Sequence, residues 1–237
     1  MSSNTVGLPS QGKLARIAGG LYLIYIVSMV LADVLGHIGL GTPQQVYQAI
    51  ATNEGSFRLG LVVAFVSAFL FLATAWALYA LLRPVNKDLA LLFLVLNAIG
   101  VAIQCASMLP LVSALLQHGS VAGKGAFSAA QLEGLAYLSI GTYKMVFVTA
   151  QLFFGTWLFP LGYLVYKSRF LPRFLGVLLM LDGVGVMIWF LQALLWPALK
   201  AITYPGLAVS FVAEVGLGLW LLLKGVKTIE GSGISAD

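Results

Sequence analysis

Charged residues are scarce in this sequence. Asp, Glu, Lys and Arg make up 9% of its 237 residues, whereas apolar residues make up 60%. A soluble domain needs about 25% charged residues to keep its surface hydrated. This chain cannot cover itself with polar groups, so we expect lipid to cover it instead. Six membrane spans of about 20 residues would use about half of the chain and leave no room for a second domain.

The residues that build common catalytic and metal sites are also few. Cys105 is the single cysteine, and the two histidines, His37 and His118, have no metal-ligand spacing. The chain contains no P-loop, no dinucleotide-binding fingerprint and no G-x-S-x-G elbow. Its net charge of +5 is spread beside apolar runs rather than gathered in basic blocks, so nucleic acid binding is not expected. We therefore predict neither a cofactor nor a metal.

Long apolar segments are what the sequence has instead. Each has about 20 residues or more, enough for a helix to cross the ~30 Å hydrocarbon core. The backbone of such a run must satisfy its own hydrogen bonds in lipid, which favours helices. The predicted spans are Arg16 to Gly36, Phe57 to Leu82, Leu89 to Gln117, Tyr143 to Tyr166, Phe174 to Trp196 and Pro205 to Leu223.

These segments predict an all-α membrane protein, a bundle of six transmembrane helices. One transmembrane domain covers residues 13–227, and the tails, residues 1–12 and 228–237, are expected to be disordered. Pro160 lies inside the fourth span and is expected to kink it, because proline cannot donate a backbone hydrogen bond to Thr156.

Basic residues predict the orientation of the bundle. On the side of the chain termini lie Lys13, Arg16, Arg83, Lys87, Lys167, Arg169, Arg173, Lys224 and Lys227. On the other side lie Arg58, Lys124, Lys144 and Lys200. Because Lys and Arg accumulate in cytoplasmic loops, both termini are predicted to be cytoplasmic.

The connections on the outer side have structural signals of their own. Thr42 followed by Pro43 is typical of a helix start, and Ser128 with Gln131 forms a capping box. Both predict short amphipathic helices on the outer surface, which would act as lids or gate a path for a ligand.

One polar or amphipathic side chain of each span falls near the same depth. Counting 1.5 Å per residue from the inner ends places them about 14 to 15 Å deep. They are Tyr25, Thr74, Asn97, Trp157, Asp182 and Glu214. The two carboxyls have no basic partner at this depth, so desolvation should keep them neutral. Such a pair suits a proton relay, a cation site or acid–base catalysis, or else hydrogen bonding between helices.

A second polar group lies in the outer third of the spans. It comprises Asp33, Arg58, Gln104, Lys144 and Gln151. Asp33 could pair with Arg58 or Lys144. This group is either a polar vestibule or a set of interfacial side chains that extend to water.

Three stretches of the sequence carry a family resemblance. They are Phe57-Arg58-Leu59-Gly60, the loop from Arg83 to Ala90, and Leu161-Gly162-Tyr163 followed by the loop from Lys167 to Gly176. The chain resembles, from Arg16 to about Lys224, a bacterial family of integral membrane proteins catalogued as domain of unknown function 4386. The resemblance implies a six-helix protein of the bacterial inner membrane, and it implies no particular activity.

Three classes of function are consistent with these features. The favoured one binds or transports a small apolar or lipid-like molecule through a mid-membrane polar pocket. The second is an intramembrane enzyme that uses Asp182 and Glu214 as acid and base on a lipid or isoprenoid substrate. The third is an accessory subunit. Six helices without an internal repeat are few for a secondary transporter, and pairing as a homodimer among membrane lipids would offset that in the first class.

Overall fold

The apolar segments are helical in the structure, a computed structural model that describes residues 11–118 and 127–226. The α-helices in these ranges are α1 (Gln11–Gly36), α2 (Pro43–Thr52), α3 (Glu54–Leu82), α4 (Lys87–Ser107), α5 (Leu109–His118), α6 (Ala129–Lys167), α7 (Arg173–Leu195) and α8 (Tyr204–Leu219). A 3₁₀ helix, Lys200–Thr203, precedes α8, and a π-helical turn, Trp220–Lys224, follows it. Six helical segments here are long and apolar enough to span a membrane, which confirms the predicted all-α bundle.

The six spans form a closed ring. Going round it, α1 packs against α3, α3 against α4, α4 against α6, α6 against α7, α7 against α8, and α8 again against α1. The two ends of the described chain meet on one side, where Lys13 and Arg16 lie beside Lys224 and Gly225. We call this side the inner face and the opposite side the outer face.

Lys and Arg residues are distributed unequally between the two faces. Of the 13, eight lie on the inner face and three, Arg58, Lys144 and Lys200, on the outer face. Lys124 and Lys227 are outside the described residues. Cytoplasmic location of the inner face stays a prediction. The predicted tails are also undescribed, apart from Gln11 and Gly12, which begin α1.

The predicted caps on the outer face are present. The Thr42 side-chain oxygen, Oγ1, accepts a hydrogen bond from the backbone N–H of Gln45 at 3.3 Å. In return, Gln45 Oε1 accepts one from the backbone N–H of Thr42 at 2.8 Å. Ser128 and Gln131 make the same pair of bonds. The Thr42 cap starts α2, which is a separate outer helix as predicted.

The second short outer helix was predicted wrongly. The helix that Ser128 caps, α6, continues for 39 residues into the fourth span. Residues 132–142 contain no proline, and the Thr142 hydroxyl donates within the helix to the Leu138 carbonyl at 3.0 Å. Nothing in this segment interrupts the backbone ladder, so the amphipathic start and the apolar span form one helix. This helix also continues through Pro160.

The third predicted span is one segment of the structure, Lys87–His118, with a local break in its helical hydrogen bonding. Helix α4 ends at Ser107 and α5 begins at Leu109. Pro110 has no N–H to donate, and the Met108 amide bonds to the Cys105 carbonyl at 3.2 Å instead of continuing the α-helical pattern. Helix α5 therefore continues this span toward the outer face after the break.

Helices α7 and α8 cross at their glycines. A Cβ added to Gly185 would lie 2.7 Å from the Gly206 Cα, and one added to Gly206 would lie 2.9 Å from the Gly185 Cα. Only glycine allows two backbones to approach so closely. This contact sets the spacing of α7 and α8 where they border the interior of the ring.

Candidate functional site

A cavity of about 200 Å³ lies inside the ring of spans, and all six spans border it. An engineered apolar cavity of about 150 Å³ takes up benzene. The cavity therefore has room for a ligand somewhat larger than benzene. Its aromatic wall consists of Tyr25, Phe71, Phe147, Phe154, Trp157 and Trp189. Its polar side chains are Gln104, Gln151, Thr203, Ser210 and Glu214.

The two carboxyls that the sequence singled out lie on neighbouring helices. Asp182 on α7 has no exposed surface, whereas Glu214 on α8 is half-buried because it borders the cavity. The carboxyl of Asp182 is close to Ser210 and to the carboxyl of Glu214, and Glu214 is close to the Tyr22 hydroxyl. None of these contacts has hydrogen-bond geometry. Within the described ranges, both Asp182 oxygens and Tyr22 Oη are buried without a hydrogen-bond partner.

The remaining mid-membrane residues divide into two groups. Tyr25 and Trp157 line the cavity. Thr74 is buried away from it and donates to the Leu70 carbonyl of its own helix at 2.8 Å. Asn97 is also fully buried away from the cavity, and neither of its amide atoms has a partner among the described residues. Equal depth therefore did not bring all six side chains together.

The outer polar group contributes two glutamines to the cavity. Gln104 is 2% exposed, and its Oε1 has no partner in the part of the chain that the structure describes. Its Nε2 lies 3.9 Å from the Met29 sulfur, a weak acceptor. Gln151 Nε2 donates to the Phe147 carbonyl at 3.3 Å. Gln104 thus borders the cavity, but its unpartnered Oε1 has no accessible surface there.

Asp33 and Lys144 hold the same peptide group from its two sides. The Leu40 N–H donates to Asp33 Oδ1 at 3.2 Å, and Lys144 Nζ donates to the Gly39 carbonyl at 2.7 Å. Gly39 and Leu40 also border the cavity, so we call the peptide group between them the lid peptide. Gly39 has φ of 130°, a conformation that favours glycine.

The expected ion pairs of Asp33 with Arg58 or Lys144 do not form in the described structure. Arg58 instead pairs with Glu54, one helical turn away, at 2.7 Å, and both side chains are exposed. Arg58 therefore lies outside the site. Asp33 and Lys144 meet only through the lid peptide.

Sequence reasoning missed Ser210 and most of the aromatic wall. Ser210 precedes Glu214 by four residues on α8, a spacing that puts both on one helix face and could have identified it. Phe71, Phe154 and Trp189 carry no such signal, because aromatic residues make up 12% of the chain and many of them face outward.

No group of three or more His, Cys, Asp or Glu side chains that could hold a metal occurs in the described residues. The available chemistry is an aromatic wall, an acid at its inner end, two amides and the hydroxyls of Thr203 and Ser210.

The fold and the site define a multi-pass membrane protein, a helix bundle with a central cavity. The family model described as "Domain of unknown function (DUF4386)" matches residues 17–225, and the chain belongs to this family. The resemblance inferred from the three sequence stretches is thereby confirmed. An "Uncharacterized protein" of Archaeoglobus fulgidus is 29% identical over 175 residues, which cover 72% of this chain and 86% of the relative. No solved structure matches the chain.

Proposed function

We propose that this protein binds a small, largely apolar molecule in the central cavity and carries it to or from the outer face. The supporting observation is the composition of the wall: six aromatic side chains surround a few polar groups, among them Glu214 and Ser210. Small-molecule sites are typically apolar with a few convergent polar groups that fix orientation.

The lid peptide closes the outer end of this proposed site. The cavity extends from Glu214 to Gly39 and Leu40, so displacement of the lid peptide would open it toward the outer face. Hydrogen bonds from Lys144 and to Asp33 hold the lid peptide in place.

The inner face is proposed to be cytoplasmic and the membrane to be the plasma membrane, which is the inner membrane of a bacterium. The excess of Lys and Arg on the inner face, eight against three on the outer face, supports this orientation.

An intramembrane enzyme is less well supported than a binding protein. Acid–base catalysis requires both groups to reach the reacting atoms. Glu214 borders the cavity, but Asp182 is fully buried and is not part of its wall. Only one of the two carboxyls would therefore touch a ligand.

Bromobenzene tests the proposal, because it has about the size of the cavity and its bromine quenches tryptophan fluorescence. Trp157 and Trp189 line the cavity, whereas Trp76 and Trp196 are exposed on the outside of the bundle. In nanodiscs, bromobenzene dissolved in lipid should quench the outer tryptophans in proportion to its concentration. Binding in the cavity should add a saturable component.

The variant Ser210→Phe fills the cavity, and Val212→Phe is its matched control, since Val212 lies on the same helix and is 57% exposed. We expect the saturable component to be lost in Ser210→Phe and kept in Val212→Phe, with both variants monodisperse. Purely linear quenching in the unmodified protein would overturn the proposal.

A further inference from the structure

We infer that the ligand is a compact organic cation, an amine or quaternary ammonium with an apolar body, held between the aromatic wall and Glu214. This inference rests on the proposed function, because it assigns a chemical class to the molecule bound in the central cavity.

The groups around the cavity that can carry charge are acids. Glu214 borders it and Asp182 lies beside Glu214, whereas none of the described Lys, Arg or His side chains belongs to the wall. The nearest basic group of the outer polar set, Lys144, is engaged with the Gly39 carbonyl. Without a cation the two carboxyls stay neutral, because burial penalises the charged form. A cationic ligand would supply the counter-charge that lets Glu214 ionise, so the site favours a cation over a neutral molecule of the same shape.

The aromatic rings of the wall lie in several planes. Phe71 lies parallel to Tyr25 at a centroid distance of 4.2 Å and perpendicular to Trp157 at 5.2 Å. Phe154 is tilted by 53° to Phe71 at 5.1 Å. Tyr25 and Phe71 each cover one face of the other, while the wall as a whole lines the cavity with aromatic rings, and the negative faces of such rings attract cations.

The buried Oε1 of Gln104 has no accessible surface, so it adds no contact to a ligand in the cavity. The acid and the rings are the two features that favour positive charge together.

Two isosteric probes separate charge from shape. Phenyltrimethylammonium and tert-butylbenzene have nearly the same shape. They differ in the atom that bears the three methyl groups, which is a positively charged nitrogen in the first and a neutral carbon in the second. Each is tested for displacement of bromobenzene from the saturable component, in nanodiscs of zwitterionic phosphatidylcholine so that the cation is not attracted to the lipid surface. We expect phenyltrimethylammonium to displace bromobenzene at a concentration at least tenfold lower than tert-butylbenzene.

The variant Glu214→Gln should remove this advantage and leave displacement by tert-butylbenzene unchanged. Glu133→Gln, at an exposed acid in the first turns of α6, is the matched control and should keep it. Equal or stronger displacement by tert-butylbenzene in the unmodified protein would overturn the cation inference while leaving the proposed function intact. Absence of any saturable bromobenzene component would instead overturn both. The comparison of the two probes needs no variant, so it holds even if Glu214→Gln does not fold.

Discussion

Replacement of Lys144 by Met should loosen the lid peptide without disturbing the packing around it. The hydrogen bond from Lys144 Nζ to the Gly39 carbonyl is 2.7 Å long and carries a charged donor. Such bonds contribute about 1.5–3 kcal/mol. Lys144 is only half-buried, so we take the lower end of that range. About 1.4 kcal/mol corresponds to a tenfold larger population of the displaced lid peptide.

Hydrogen–deuterium exchange at Leu40 measures this change directly. The Leu40 N–H belongs to the lid peptide and donates to Asp33 Oδ1, so it exchanges only when the lid peptide leaves its place. In nanodiscs, Lys144→Met should exchange at Leu40 about tenfold faster than the unmodified protein, while the interior of α3 around Ala68 keeps its rate. Lys200→Met, at an exposed lysine of the same face, is the control and should leave Leu40 unchanged.

Unchanged exchange at Leu40 in Lys144→Met would refute the reasoning, because the lid peptide would then be held without Lys144. If the lid peptide also closes the cavity, the rate at which bromobenzene dissociates should rise by a similar factor in Lys144→Met.

Two further predictions concern stability. Gly206→Ala should lower the midpoint of thermal unfolding, since its Cβ would lie 2.9 Å from the Gly185 Cα and overpacking costs about 1–3 kcal/mol. Gly216→Ala is the control, because a Cβ at Gly216 on the same helix would meet its nearest neighbour only at 3.7 Å, and this variant should keep its midpoint. Equal midpoints in the two variants would contradict the close crossing of α7 and α8. Asn97→Leu should raise the midpoint, because it removes two buried amide atoms that have no partner among the described residues. A lower midpoint in the same detergent would show that Asn97 makes a stabilising contact.

Helix boundaries show where local signals suffice and where they do not. Thr42 with Pro43 and Ser128 with Gln131 were recognised as helix starts, because capping depends on neighbouring residues only. The length of the helix that follows a cap is different. The start at Ser128 was expected to give a short surface helix, yet α6 continues into the membrane because nothing in residues 132–142 stops it.

Depth in the membrane is equally local, whereas the direction in which a side chain faces is not. A rise of 1.5 Å per residue was enough to place Thr74, Asn97 and Glu214 at one level. Only Glu214 of these three borders the cavity. Helix α7 is apolar almost all round its axis, so its sequence has no polar stripe that distinguishes the interior from lipid. The rotation of each helix was therefore beyond sequence reasoning.

The sequence by itself determined the class of protein, the six spans and the depth of the polar residues, since these follow from transfer of apolar segments into lipid and from helix geometry. Only the tertiary structure decided that Asp182 lies beside Glu214, that Asp33 and Lys144 share the lid peptide, and that six aromatic rings enclose one cavity. Those contacts depend on how close the helices approach and how each is rotated. In lipid these are set by close packing at sites such as Gly185 and Gly206 rather than by hydrophobicity, which is nearly the same on both sides of each span.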